Sequence, residues 1–176
     1  MTRLALIGVA VGLALLRCAG AEAKTPVTVS DKGPQYRTSQ YADHVGHRYE
    51  DRTVTLQCGE VRYGIHYRGC VDESHKGRVG VVEGSVGMPA PSSENWYGGG
   101  FLRLKLNGVD VGSYRLAAMQ VTEQGERGGV ELVWDTADAV VRMRFMLESG
   151  ANHVKAEVSW IPKAEIKDAA LELSCY

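Results

Sequence analysis

The stretch VVRMRFML, residues 140–147, decides the fold class of this 176-residue chain. Apolar side chains alternate there with Arg142 and Arg144, which is the period of two expected of a half-buried β-strand. The polar segment SGAN, residues 149–152, predicts a turn, and VKAEVSWI, residues 154–161, returns with the same alternation. The two segments therefore predict an antiparallel hairpin whose apolar face joins a core.

Working outward, short segments with the same character recur toward the N-terminus, separated by glycine-rich or polar turns. Asn107-Gly108 is the sharpest hairpin signal, because both residues accept the positive φ of a type I′ turn. The pattern predicts an all-β, antiparallel β-sandwich, with Trp134 and Trp160 in its core. Because the last strand runs directly into Tyr176, the chain is interpreted either as a whole sandwich or as the incomplete front part of a larger supersandwich. The predicted strand segments are residues 27–29, 52–58, 61–68, 77–87, 101–106, 114–122, 130–134, 140–147, 154–161 and 166–175.

The N-terminal 23 residues have the pattern of a secretory signal peptide. Arg3 precedes an uncharged apolar run at residues 4–16, which is too short to span a bilayer, and Ala21 and Ala23 form a small-residue cleavage site. Cys18 leaves a second possibility open, lipidation, although Arg17 before it is large for that processing. We expect a secreted or periplasmic protein with no stable membrane span after signal cleavage.

Beyond the signal peptide, the sequence divides into two parts. Residues 24–51 are polar and lack a sustained period, which predicts an extended lead-in, and residues 52–176 form the predicted β-sandwich domain.

Disulfides persist in the oxidising compartment that export implies. Counting outward from Gly64 as a turn brings Cys58 and Cys70 opposite each other, so we expect a bridge between them, the alternative being two buried thiols. Cys175 is then left over.

Composition and motifs exclude several function classes. Basic and acidic residues number 20 and 21, so no net field favours nucleic acid as a partner. The sequence contains no phosphate-binding loop, dinucleotide fingerprint, zincin motif, nucleophile elbow or C-x-x-C pair, and no cofactor is expected. Residues 43–51 contain His44 and His47 among carboxylates, but a solvated loop is the better interpretation, so no metal site is predicted.

The segment Asn95-Trp96-Tyr97, followed by three glycines, is the best candidate for ligand binding. Aromatic rings stack on the apolar faces of sugars, an amide bonds to hydroxyls, and glycines let the backbone approach a ligand. The alternative is that Trp96 and Tyr97 close one end of the sandwich.

Residues 129–135, 140–147 and 156–160 together resemble the antiparallel supersandwich of galactose-mutarotase-like proteins, in which strands of alternating aliphatic residues carry a Trp near an acidic turn. The resemblance covers the C-terminal half and implies an aldose epimerase or a sugar-handling module of a larger carbohydrate-active enzyme. Epimerases of this class use a histidine acid and a glutamate base on a concave sheet face. No histidine here matches that motif residue by residue, and the chain is shorter than a whole epimerase domain, so no catalytic residue is transferred.

Three functions follow from these observations. The first is an exported, non-catalytic β-sandwich domain that binds carbohydrate or a cell-envelope component. The second is a mutarotase-like enzyme or a fragment of one, a carbohydrate epimerase or related sugar-active protein, and the third is a purely structural envelope protein. For the enzyme, the candidate acids and bases are His66, His153, Glu131 and Glu157.

Overall fold

The structure, a computed structural model, describes residues 24–38, 40, 46–71, 83–86 and 102–173. Within these ranges the chain forms twelve β-strands and one 3-10 turn at Val111–Ser113, and contains no α-helix. The segment predicted as a signal peptide lies outside them. In chain order the strands are β1 (Thr28–Asp31), β2 (Gln35–Thr38), β3 (Arg48–Cys58), β4 (Val61–Cys70), β5 (Glu83–Val86), β6 (Leu102–Leu106), β7 (Val109–Asp110), β8 (Leu116–Glu123), β9 (Arg127–Asp135), β10 (Ala139–Glu148), β11 (Val154–Pro162) and β12 (Ala169–Leu173).

The described strands form three antiparallel sheets. The first has the order β1-β3-β4-β5, with β2 also paired to β3, the second β11-β10-β9-β8, and the third β12-β6-β7. Strands β1 and β3 contact the second sheet, and β5 contacts β6 of the third. The prediction of an all-β, antiparallel fold of the β-sandwich type is confirmed.

One apolar core joins the three sheets. Alternate residues of each central strand point into it, as the period of two in the sequence predicts. Full burial of such a side chain contributes roughly 1.5–3 kcal/mol relative to leaving it in water. Residues from all three sheets that are at most 2% exposed include Val54, Leu56, Ile65, Leu104, Leu106, Val130, Leu132, Trp134, Val141 and Leu147.

Much of the described part of residues 24–51, which were expected as a lead-in before the domain, belongs to the first sheet. They supply β1, β2 and the beginning of β3, so the expected boundary at residue 52 falls inside a strand. Val27 is 2% exposed and exchanges two backbone hydrogen bonds with Gly125. A Cβ on Gly128 would lie 2.5 Å from Val27 Cγ1, so the glycine leaves the room that Val27 occupies. Strands β1 and β2 are extended and pair with β3 of the first sheet.

The Asn107-Gly108 turn forms as predicted. Both residues have positive φ, 50° and 78°, and Leu106 and Val109 pair directly across the turn between β6 and β7. This is the backbone conformation that Asn and Gly adopt most easily.

The predicted bridge between Cys58 and Cys70 is wrong, because the turn lies elsewhere. The chain reverses at Gly59-Glu60, so Cys58 pairs with Val61 at the turn and Cys70 pairs with Tyr49 at the far end of the hairpin. The nine-residue separation along β4 corresponds to roughly 30 Å at about 3.3 Å per residue, whereas a disulfide needs Cα atoms within about 7 Å. Cys58 is a buried free thiol. Its Sγ donates to the Thr25 carbonyl at 3.2 Å.

Of the two tryptophans predicted in the core, Trp134 is buried and Trp160 is partly exposed. Trp134 is 2% exposed on β9, a central strand of the second sheet. Trp160 is 39% exposed, although its register partner Val141 is fully buried. Since β11 is at the edge of the sheet that the described residues form, only one flank of Trp160 is covered by a described strand.

Candidate functional site

The predicted ligand-binding residues Asn95, Trp96 and Tyr97 lie outside the described residues. So do Asp43 and His44 of the acidic, histidine-containing segment. Their roles therefore remain predictions, and the site that the structure describes has to be built from other residues.

The four candidate acids and bases do not converge. His66 pairs with Thr53 in the β3–β4 hairpin and points away from the core, onto the outer face of the first sheet. Glu131 and Glu157 lie on the outer face of the second sheet, as the two cross-strand neighbours of Arg144. His153 is exposed in the turn before β11. Because the sandwich core separates the two outer faces, His66 cannot share one sugar with either glutamate.

His66 instead lies beside Asp51, a residue of β3. Continuous antiparallel register between β3 and β4 places Asp51 opposite Arg68 and Thr53 opposite His66, so side chains two residues apart on each strand share the outer face. Strand β2 adds Arg37, which pairs with Tyr49, on the other side of β3. We call Arg37, Asp51, His66 and Arg68 the Asp51 cluster.

The Asp51 carboxylate is the centre of this cluster. Its Oδ1 accepts a hydrogen bond from Arg68 Nε at 2.7 Å and lies 3.3 Å from His66 Nε2. Its Oδ2 lies 3.2 Å from Arg37 Nε. Asp51 is 4% exposed, and it is the only acidic residue among the buried residues of the described chain. The surrounding side chains are more open: His66 is 32% exposed, Arg68 41% and Arg37 69%.

The neighbouring cations keep Asp51 ionised. Burial by itself would raise the pKa of its carboxyl group. The hydrogen bond and charge of Arg68, together with the charges of His66 and Arg37, outweigh burial and lower the pKa below its ordinary value of 3.8. At neutral pH the cluster therefore contains a carboxylate that only accepts hydrogen bonds, surrounded by donors.

His66 is held mainly in its neutral form. Burial lowers its pKa below the ordinary 6.5, and the charges of Arg68 and Arg37 act in the same direction, against the opposing effect of Asp51. With the proton on Nε2, the neutral ring donates to Asp51 Oδ1, and Nδ1 is then an acceptor. An aspartate oriented against a neutral histidine is an arrangement that can position a general base.

One oxygen of the cluster keeps unused hydrogen-bonding capacity. Asp51 Oδ2 is buried and makes no hydrogen bond within the described residues, although Arg37 is close to it. Buried carboxylate oxygens usually have a hydrogen-bond partner. The Asp51 cluster thus combines a strongly held anion, donor side chains at the surface and one incompletely satisfied acceptor.

Sequence reasoning identified only part of this cluster. It selected His66 as a candidate acid or base, but it interpreted Asp51 as the end of a solvated acidic segment. Residues 49–53 show no alternation of apolar and polar residues, so the sequence does not reveal that Tyr49, Asp51 and Thr53 share one strand face. The contact itself depends on the hairpin register, which was misassigned through the turn.

Other groupings are less informative. No group of three or more histidine, cysteine, aspartate or glutamate side chains that could hold a metal ion occurs in the described ranges. An open cleft of about 590 Å³ lies at one end of the sandwich, lined by both acidic and basic side chains. Its lining residues are Lys24, Pro26, Gly125, Glu126, Arg127, Glu148 and Ser149.

Comparisons with protein-family models, with curated proteins and with solved structures found no match to this chain. The described part of the chain contains no helix with the length and apolar character needed to cross a bilayer.

Proposed function

We propose that this protein is an exported, non-catalytic β-sandwich module that binds carbohydrate or another cell-envelope component through the outer face of its first sheet. The observation that carries the proposal is the Asp51 cluster: a buried carboxylate that holds Arg37, His66 and Arg68 beside one another on the outer face of the first sheet. Export to the periplasm or the medium rests on the signal-like pattern of residues 1–23.

The chemistry of the cluster suits a ligand rich in hydroxyl groups. Arg37 contacts Asp51 through Nε, and a guanidinium group carries further donors on its terminal nitrogens. Asp51 restricts the geometry of this side chain before a ligand arrives, which lowers the entropy lost on binding.

The predicted aromatic segment is the second part of the proposed surface. Trp96 and Tyr97 would stack on sugar rings and Asn95 would bond to hydroxyl groups. This contribution rests on the sequence and is tested separately from the Asp51 cluster.

The test is a glycan-array screen of the exported protein, including peptidoglycan fragments, with Arg37→Ala, His66→Ala and Trp96→Ala beside the wild type. Arg142→Ala is the matched control, because Arg142 is 48% exposed on the outer face of the second sheet. Loss of a hydrogen-bond donor, or of a ring that stacks on a sugar, should weaken binding by up to about tenfold. We expect this loss in the first three variants and near wild-type binding in the control.

The outcomes separate the functions. If the folded wild type binds no glycan and no envelope fragment, the binding function is overturned, and a purely structural envelope protein or a fragment of an enzyme remains. If binding survives Arg37→Ala and His66→Ala but disappears in Trp96→Ala, the function stands and the Asp51 cluster is not its site.

A mutarotase-like enzyme is the second candidate function, and the Asp51–His66 contact is what favours it. A His66 ring oriented by Asp51 could exchange a proton with a sugar hydroxyl. Polarimetry of freshly dissolved aldoses tests it. Faster mutarotation that His66→Ala abolishes would support the enzyme, and an unchanged spontaneous rate for the wild type would contradict it.

A further inference from the structure

Strand β11 is an unusually open edge of the sandwich. It has nine residues, and in the described part of the chain it pairs only with β10. Most of its residues are exposed, including Trp160 at 39% and Ile161 at 61%. A long strand with one unpaired edge carries backbone donors and acceptors that can pair with another strand.

The other described edges are shorter or irregular. Strand β8, at the opposite edge of the same sheet, has register shifts between Leu116 and Ala118 and between Val121 and Glu123. The edge formed by β1 and β2 consists of two four-residue strands. Strands β5 and β12 have four and five residues. Irregular and short edges discourage pairing with another chain, and β11 has neither feature.

A row of polar side chains crosses the outer face of the second sheet and ends at β11. Gln120, Glu131, Arg144 and Glu157 are successive register partners on β8, β9, β10 and β11. The charges in this row alternate from negative to positive to negative. Glu157 is the last member, so the next position, beyond the edge, favours a cation.

We propose that β11 pairs antiparallel with β11 of a second copy of this chain, centred on Ala156. In this register residues 154–158 of the two copies pair with one another, and Lys155 of each copy lies opposite Glu157 of the other, so the charge row continues across the edge. Val154 and Val158 of the two copies are opposite each other on the core-facing side, and Ala156 meets itself at the two-fold axis. The second sheets of both copies join into one continuous sheet.

The neighbouring charges fit this register as well. Lys155 forms an ion pair with Glu148 of its own β10 at 2.6 Å, and both side chains are about half exposed. In the dimer, Lys155 would have Glu148 of its own copy on one side and Glu157 of the second copy on the other. Glu157 would have Arg144 of its own copy on one side and Lys155 of the second copy on the other. A register shifted by one residue in each copy would place Glu157 directly opposite itself, which is unfavourable.

Analytical ultracentrifugation of charge-reversed variants tests the proposal. Lys155→Glu would place acidic residues opposite each other, and Glu157→Lys would place basic residues opposite each other, twice per dimer by symmetry. Each variant should weaken self-association about tenfold or more. An equal mixture of the two variants restores both opposite-charge pairs and should form a heterodimer.

Lys167→Glu is the control, because Lys167 is 77% exposed, outside β11, and undergoes the same change of charge. Circular dichroism of each variant confirms that it is folded. A wild type that stays monomeric over the whole accessible concentration range overturns the proposal. A dimer that Lys155→Glu and Glu157→Lys leave unchanged overturns it equally, since its interface would then lie elsewhere.

Discussion

Asp51 combines two properties that rarely coincide, namely burial of a carboxylate and a position on the solvent-facing side of a sheet. The core lies on the other side of β3, where Val54 and Leu56 point. The polar side chains around Asp51 therefore take the place of water as its hydrogen-bond and charge partners. Burying a charge is costly unless it is paired, and three donors meet that requirement here.

Replacing Asp51 with Asn should lower stability and change its pH dependence. The folded protein holds the pKa of Asp51 below 3.8, so the unfolded chain takes up the proton first as the pH falls below that value. The stabilisation by Asp51 is thus present above pH 3.8 and is lost as the pH falls through the lowered pKa. We expect Asp51→Asn to lose roughly 1–3 kcal/mol at neutral pH and less at acidic pH.

Urea unfolding of the wild type and Asp51→Asn at a series of pH values measures this difference. If the two proteins lose stability in parallel down to the most acidic pH, Asp51 is not held in the ionised form by its neighbours.

His66 should make its own contribution to the pH dependence of stability. Because its folded-state pKa lies below 6.5, the unfolded chain binds a proton more readily as the pH falls through 6.5. The free energy of unfolding should therefore decrease from about pH 6.5 downward until the folded-state pKa is reached. In His66→Gln this decrease in the free energy of unfolding below pH 6.5 should be absent.

NMR titration of the His66 ring checks the sign directly. A midpoint below 6.5 agrees with the account, whereas a midpoint above 6.5 would mean that Asp51 dominates over burial and over Arg37 and Arg68.

At the scale of single elements, the β3–β4 hairpin shows that a period of two predicts the strands but not the position of the turn between them. The alternation in residues 52–68 was predicted correctly, since the core-facing residues of both strands keep the period of two. The position of the turn was not predicted correctly, because Gly59 and Gly64 both lie in that segment and glycine adopts turn conformations easily at either position. Gly59 has φ 59° and forms the turn, while Gly64 lies within β4 opposite Thr55. Moving a turn by a few residues changes every cross-strand pair, including the one between Asp51 and Arg68.

Cys58 should therefore be found as a thiol and not linked to Cys70. It is 7% exposed, so we expect iodoacetamide to modify it slowly in the native protein and rapidly in urea. Peptide mass spectrometry without reduction measures both properties. A peptide pair joined through Cys58 and Cys70 would show that the hairpin register is different.

The Asn107-Gly108 turn is an element whose geometry the sequence specifies locally. Gly108 has φ 78° with no neighbouring atom near the position of a Cβ, so Gly108→Ala tests backbone strain without a steric clash. We expect a loss of about 1–2 kcal/mol in the free energy of unfolding. Gly64→Ala is the control, because Gly64 has ordinary strand geometry and a Cβ there would make only a normal contact with Thr53 at 3.6 Å. Equal losses in both variants would contradict the assigned turn.

For the whole molecule, sheet order is the property that strand patterns leave open. Trp134 and Trp160 lie in segments that alternate equally well in sequence. Among the described strands, however, β9 is central and β11 is at an edge, so Trp134 has a strand on each side and Trp160 has a described strand on one side. The antiparallel β-sandwich follows from local alternation and turns. The position of each strand among its neighbours depends on residues far apart in the chain, and one sequence does not encode it in a readable pattern.

The same non-local order determines which candidate residues can act together. His66 and the glutamates Glu131 and Glu157 were grouped by chemistry, but the sheets place them on opposite outer faces. Asp51, which the sequence left among solvated residues, is brought beside His66 by pairing between adjacent strands. The outer face of the first sheet is therefore the surface on which this account places ligand binding.

Backbone amide chemical-shift mapping tests that central claim most directly. Uniformly 15N-labelled protein is titrated with the strongest glycan from the array, and the perturbed amides are mapped onto the strands. The account predicts that the largest perturbations cluster around Arg37, Asp51, His66 and Arg68 and disappear in Arg37→Ala. Perturbations confined to the second sheet, or a cluster that Arg37→Ala leaves unchanged, would contradict it.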